Sequence, residues 1–156
     1  MTAKTGKIAP SFNVLCDDET RIDLSDLRGK NVVLYFYPKD DTPGCTIEAQ
    51  DFSARIEEFK KLDAVVLGVS KDSVKSHCNF IKKYDLAFNL VSDEDGKLCE
   101  AYDVIQEKSM FGKKYFGIDR STFIIDKKGN IAKIFKSVKV NGHVDEVLKF
   151  LKDLEK

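Results

Sequence analysis

The 156 residues carry 26 Lys and Arg against 26 Asp and Glu, a formal net charge of zero. That length suits one domain, residues 1–156, with a sizeable core, and the balance of charge argues against a nucleic-acid surface or a strongly acidic partner. The longest apolar run, Val32 to Tyr37, is far too short to span a membrane, and Met1 to Pro10 holds no apolar core of signal-peptide length, so a cytoplasmic location is expected.

Taken in order, Ser11 to Leu15 and Arg21 to Asp23 read as an N-terminal β-hairpin around the polar turn Cys16 to Thr20. Ser25 to Lys30 is a turn. Asn31 to Tyr37 is continuously β-branched or aromatic and so marks a strand buried on both faces, the centre of a sheet. From Cys45 to Leu62, Ile47, Phe52, Ile56 and Phe59 recur at helical spacing, which predicts one long amphipathic helix. Asp63 to Val69 is a second buried strand, and Ser70 to Ser73 supplies capping chemistry for a helix reaching Tyr84. Phe88 to Val91 is a short strand and Gly96 to Tyr102 a short helix. Lys108 to Ile118 reads as a glycine- and lysine-containing loop exposing Met110 and Phe111. Ser121 to Ile125 and Ile131 to Phe135 form a hairpin, and Val144, Val147, Leu148 and Leu151 line a closing helix. This order predicts an α/β domain with a central mixed β-sheet, helices on both faces and a thioredoxin-like arrangement.

Four cysteines, Cys16, Cys45, Cys78 and Cys99, are irregularly spaced, and no Cys-x-x-Cys pair or Cys/His cluster offers a metal site. In a reducing compartment they start as free thiols. Cys45 is singled out by its place, where an apolar strand runs through Pro38 to Thr42 into a helix start. Unpaired N–H groups and the positive end of the helix dipole there favour a thiolate, which is the reactive form. Pro43 presets a helical φ, Gly44 lets a ligand approach the backbone, and Thr42 adds a hydroxyl. His77 and His143 lack any pattern linking them to Cys45 and are expected at the surface, which leaves a Ser or Cys hydrolase without its His/Asp partners.

Pro38-x-x-x-Thr42-x-x-Cys45 matches the active-site signature of peroxiredoxins, and Tyr37-Pro38-Lys39-Asp40-Asp41-Thr42-Pro43-Gly44-Cys45-Thr46 resembles the Bcp or PrxQ subfamily. The resemblance continues through Leu67 to Ser70, Leu90 to Asp93, Glu107 to Lys113 and Arg120 to Asp126. It implies an antioxidant enzyme that reduces hydrogen peroxide and organic hydroperoxides with a cysteine thiol. Electrons would come from thioredoxin, with no metal or prosthetic group, in a monomer. Cys45 is then the peroxidatic thiol, oxidised to a sulfenic acid. Thr42 and the Gly44 and Cys45 N–H groups face the peroxide, Pro38 shields the thiolate, Arg120 reaches the sulfur, and Glu48, read as a first-turn glutamate, braces the helix. The resemblance places a second, resolving cysteine at Gln50 or Ile81, and neither is a cysteine. Cys78, three residues before Ile81, is the best intramolecular candidate for a disulfide; an external thiol is the alternative, with Cys16 and Cys99 behind both. A thiol-disulfide oxidoreductase would need a second thiol close after Cys45, and a redox-regulated holdase would need a large exposed apolar patch.

Overall fold

The computed structural model describes residues 3–156, so Met1 and Thr2 of the predicted 1–156 domain lie outside it. The N-terminal strands are β1 (Asn13–Cys16) and β2 (Arg21–Asp23), paired antiparallel and followed by a 3₁₀ turn at Leu24–Leu27. Then come β3 (Asn31–Phe36), α1 (Pro43–Ala54), α2 (Ile56–Lys61), β4 (Ala64–Ser70), α3 (Val74–Tyr84), β5 (Asn89–Ser92) and α4 (Lys97–Ala101). The chain finishes with β6 (Ile105–Met110), β7 (Lys113–Ile118), β8 (Ser121–Ile125), β9 (Ile131–Phe135) and α5 (His143–Leu154).

Seven strands form one mixed sheet in the order β2-β1-β5-β4-β3-β8-β9, with β3, β4 and β5 parallel and the outer pairings antiparallel. Every residue of β3 is buried, because successive side chains enter opposite cores. Val32, Leu34 and Phe36 pack with Phe12, Leu98 and Tyr102 on one face; Val33 and Tyr35 pack with Phe52, Phe59, Phe80 and Val147 on the other. Thus α1, α2, α3 and α5 cover one face and α4 the other, as the thioredoxin-like reading expects.

Two predicted elements are corrected. The single helix over Cys45 to Leu62 begins two residues earlier, at Pro43, and breaks at Arg55, whose backbone (φ −108°, ψ 12°) leaves the α-helical geometry. The break lets α1 lie against α5 while α2 turns onto β4, carrying Phe59 into the core. The predicted loop over Lys108 to Ile118 is a two-stranded ribbon, β6 against β7, with Met110 opposite Lys113. Phe111 and Gly112 both take positive φ (52° and 78°), as a type I′ hairpin turn requires. Phenylalanine at the first of these positions hid the turn, since Asn or Asp is its usual signal. Phe111 is 98% exposed, beside exposed Met110 and Phe116. Among the described residues no helix is long and apolar enough to cross a membrane.

Candidate active site

The carboxyl edge of the parallel strands gathers the reactive groups. Residues 37–42 lead from β3 into α1, and β8 runs antiparallel beside β3 with Ser121 opposite Phe36, so Arg120 stands next to that edge. Its backbone is pinned: the carbonyl accepts from Val138 N (2.9 Å), and the preceding Asp119 carboxylate accepts from Ser137 N and Oγ (3.2 and 3.1 Å).

Thr42 is the residue capping α1, Pro43 opens the first turn, and the first intrahelical bond runs from Thr46 N to Thr42 O (2.8 Å). The Gly44 and Cys45 N–H groups precede that bond and have no acceptor within the helix. Cys45, only 2% exposed, receives a hydrogen bond from Arg120 Nη2 at 3.4 Å. Gly44 makes this approach feasible, since a Cβ there would sit 3.2 Å from Arg120 Nη2. Arg120 Nη1 donates to Glu48 Oε1 at 2.7 Å. Starting the helix at Pro43 moves Glu48 out of the first turn, where the sequence reading put it; it is 1% exposed and meets the Arg120 guanidinium. Burial pushes its carboxyl up to about 7, against the pull of Arg120. Its second oxygen, Oε2, is buried without a hydrogen-bond partner, as is the hydroxyl of Tyr35.

The other predicted residues are placed less closely. The Thr42 hydroxyl donates to Lys39 O at 2.8 Å, closing the turn rather than pointing to a ligand. Pro38 stands exposed just past β3. Cys78 is half-buried on α3 and its thiol donates to Asp17 O (2.9 Å) in the β1–β2 turn. The Cys45 thiol neighbours Arg120 and the Cys78 thiol the Asp17 carbonyl, so the two thiols have different partners in this structure. A disulfide needs Cα atoms within roughly 7 Å, and none joins Cys45 to Cys78 here. All four cysteines are free. Cys16 and Cys99 are fully buried, and burial pushes the Cys16 thiol up to about 12 and the Cys99 thiol well above its ordinary range. Both therefore stay protonated and unreactive.

Neither histidine is at the surface. His143 is 2% exposed, its Nε2 on Thr122 Oγ1 at 2.7 Å, and burial together with nearby Arg120 pushes it down to about 4, so it is neutral. His77 is fully buried, its Nε2 2.9 Å from Val91 O and its Nδ1 2.7 Å from Asp40 Oδ2. A carbonyl only accepts, so Nε2 carries hydrogen and donates there, while Nδ1 faces the Asp40 carboxyl. Tyr37 and Ser76 hydroxyls donate to Asp40 as well (2.6 and 2.8 Å), and Asp40 N donates to Asp72 Oδ2 (2.9 Å). Asp40, Asp72 and His77 bring potential metal-ligand atoms within 4.8 Å of one another, but each is already engaged by these protein partners. This network, which fastens residues 37–42 to α3, is absent from the sequence reading. His77 does lie on the apolar stripe of α3 with Phe80 and Tyr84, a helical spacing that places it inside.

The AhpC/TSA family model matches residues 5–134. Peroxiredoxin Bcp of Bacillus subtilis (strain 168) is 51% identical over 154 residues, covering 99% of this chain and 98% of that protein. Peroxiredoxin Bcp of Escherichia coli (strain K12) is 43% identical over 150 residues, 96% of each chain. Among solved structures, the Xanthomonas campestris Bacterioferritin Comigratory Protein, studied for alkyl peroxide reduction in trapped intermediate/ligand complexes, superposes with a TM-score of 0.89 at 49% identity, covering 93% of this chain and 92% of that one.

Proposed function

The chain belongs to the AhpC/TSA family, among the Bcp and PrxQ peroxiredoxins, and from this membership and the contact between Arg120 and Cys45 we propose the following reaction. The enzyme is a thiol peroxidase that reduces hydrogen peroxide and organic hydroperoxides. The alkyl peroxide reduction of the Xanthomonas relative supports the second substrate class.

The Cys45 thiolate attacks one peroxide oxygen, a sulfur–oxygen bond forms as the O–O bond breaks, and the electron pair departs on the leaving oxygen, which takes up a proton. Arg120, 3.4 Å from the sulfur, stabilises the thiolate and faces the negative charge that develops. The free Gly44 and Cys45 N–H groups are donors for the same charge, with Thr42 at the turn and Pro38 at its outer edge. A second thiol then attacks the sulfenic sulfur and releases water, giving a disulfide that a dithiol reduces by exchange. Within the chain that thiol is Cys78, which Cys45 meets once the starts of α1 and α3 loosen. If Cys78 stays out of reach, an external thiol acts directly.

Thioredoxin as the reductant and a monomeric state rest on the Bcp and PrxQ resemblance, and one domain over residues 1–156 on the length of the chain. A cytoplasmic setting accords with four free thiols.

The single observation that carries the reading is the Cys45–Arg120 contact at the first turn of α1. The test is peroxide consumption with and without thioredoxin. The parent turns over only with a reductant, and Cys45→Ser loses turnover. A Cys45→Ser protein as fast as its parent overturns the reading. Disulfide mapping after one equivalent of peroxide separates a Cys45–Cys78 bond from a Cys45 that awaits an external thiol.

A further inference from the structure

Glu48 follows Cys45 by three residues, so the two side chains leave α1 on one face, and the Arg120 guanidinium closes against both. One cation thus serves two acids. If both were ionised, the site would hold a net negative charge with Cys45 2% and Glu48 1% exposed, and an unbalanced buried charge is costly. Such a pair of acids titrates as a unit, and sharing one cation favours the state in which one of them keeps its proton. Glu48 Oε2, the one buried acid oxygen among the described residues with no hydrogen-bond partner, is free to carry that proton.

We propose, on the basis of the peroxidase reading above, that Glu48 stores the proton required by the leaving oxygen of the peroxide, and that Arg120 changes partner from the Cys45 thiolate to the Glu48 carboxylate during the reaction. Before reaction the site is thiolate, guanidinium and neutral carboxylic acid. The sulfur gives an electron pair to the peroxide, is oxidised to sulfenic acid, and loses its charge. The leaving alkoxide or hydroxide gains one proton through the solvent at the mouth of the site, and Glu48 loses one. Afterwards the site is sulfenic acid, guanidinium and carboxylate. Net charge is zero at both ends, so no unbalanced charge is left buried when the product departs.

The surroundings fit this exchange. Burial holds the Glu48 carboxyl protonated up to about 7, and Asp51 on the same helix repels its anion. Tyr35 on β3 keeps its phenol proton, because burial and Glu48 both disfavour the phenolate. His143 on α5 is held neutral by burial and by Arg120, so it does not compete as a cation. Glu48 does not touch the reacting atoms; it is a positioning residue that acts through Arg120.

The experiment counts protons. Reduced protein in weak buffer with an indicator dye receives one equivalent of hydrogen peroxide at a pH where the Cys45 thiolate absorbance and a protonated-carboxyl infrared band are both present; if no pH shows both, the proton store is overturned. Thiolate is followed by its ultraviolet absorbance against Cys45→Ser, and sulfenic acid by mass spectrometry. The parent should lose thiolate absorbance with no net proton uptake, whereas Glu48→Gln should take up about one proton per sulfenic acid formed. Infrared difference spectra of the parent, which need no variant, should lose the C=O band of a protonated carboxyl on oxidation. Uptake of about one proton by the parent, or an unchanged carboxyl band while sulfenic acid forms, overturns the proton store and leaves the peroxidase reading intact. Failure to form sulfenic acid at Cys45 overturns the peroxidase reading itself, and the proton store with it.

Discussion

On one side of the turn that starts α1, Asp40 is held by Tyr37, Ser76 and His77, and the histidine is held in turn by the Val91 carbonyl. On the other side Glu48 has one oxygen on Arg120 and nothing on the second, and Arg120 divides its donors between a carboxyl and a thiol. Both clusters are buried and ionisable. The first is closed, with each donor matched to an acceptor, so it fastens residues 37–42 and leaves no group to react. The second is open by one oxygen and one sulfur, and that incompleteness is where chemistry has room. A fully satisfied buried network rigidifies, whereas an unpaired buried polar group is costly to the folded state.

The contrast breaks most visibly on the closed side. His77→Ala removes one of three side-chain partners of the buried Asp40 and opens a cavity between α3 and β5, and should cost about 2–4 kcal/mol of stability, read from the urea midpoint. Residual folded protein should keep its rate of Cys45 oxidation. If the rate constant falls while stability holds, the closed network is part of the chemistry.

On the open side the order reverses. Arg120→Ala should slow Cys45 oxidation by about 10²–10³-fold, as loss of one preorganised donor to developing charge does, while stability changes less because Glu48 can stay protonated. Stopped-flow oxidation by hydrogen peroxide together with a denaturation curve checks both halves. Alkylation of Cys45 at neutral pH should slow as well, since the cation beside the thiolate is gone.

A smaller effect separates two titrations with opposite signs. Glu48 is raised from 4.5 to about 7, so between those values the folded protein keeps a proton that the unfolded chain has lost, and stability falls as pH rises. His143 is lowered from 6.5 to about 4, so in that window the unfolded chain binds a proton that the folded protein refuses, and stability rises with pH. The two oppose each other in the parent. Glu48→Gln removes the first and should steepen the rise of the urea midpoint with pH between about 4.5 and 6.5. An unchanged slope would mean that Glu48 does not hold its proton in the folded state. The smallest effect belongs to the ribbon tip: Phe111→Ser touches a side chain that is 98% exposed and should alter stability by no more than about 0.5 kcal/mol, measured by thermal melting.

Much of the site was legible because its signals are local. Pro43, Gly44 and Cys45 follow an apolar strand, and their order alone predicts a thiol at a helix start. Alternation along β3 likewise names both cores before any packing is known. What was illegible depends on partners far away in sequence. Glu48 reads only as a first-turn glutamate bracing the helix until Arg120, 72 residues later, arrives at it. His77 reads as a polar residue until Asp40, 37 residues earlier, gives it a reason to be buried. The ribbon of β6 and β7 was lost for a local reason, a phenylalanine at a position where the turn chemistry favours Asn or Asp.

By itself the sequence determined the order of strands and helices, the central strand and the reactive cysteine, since periodicity and helix-start chemistry act over a few neighbouring residues. Only the tertiary structure decided which acid shares the arginine with the thiol, which histidines are buried, and which carbonyl the Cys78 thiol meets. Those properties come from desolvation and from contacts between distant segments, and neither exists until the sheet has brought β3, β8 and α3 together.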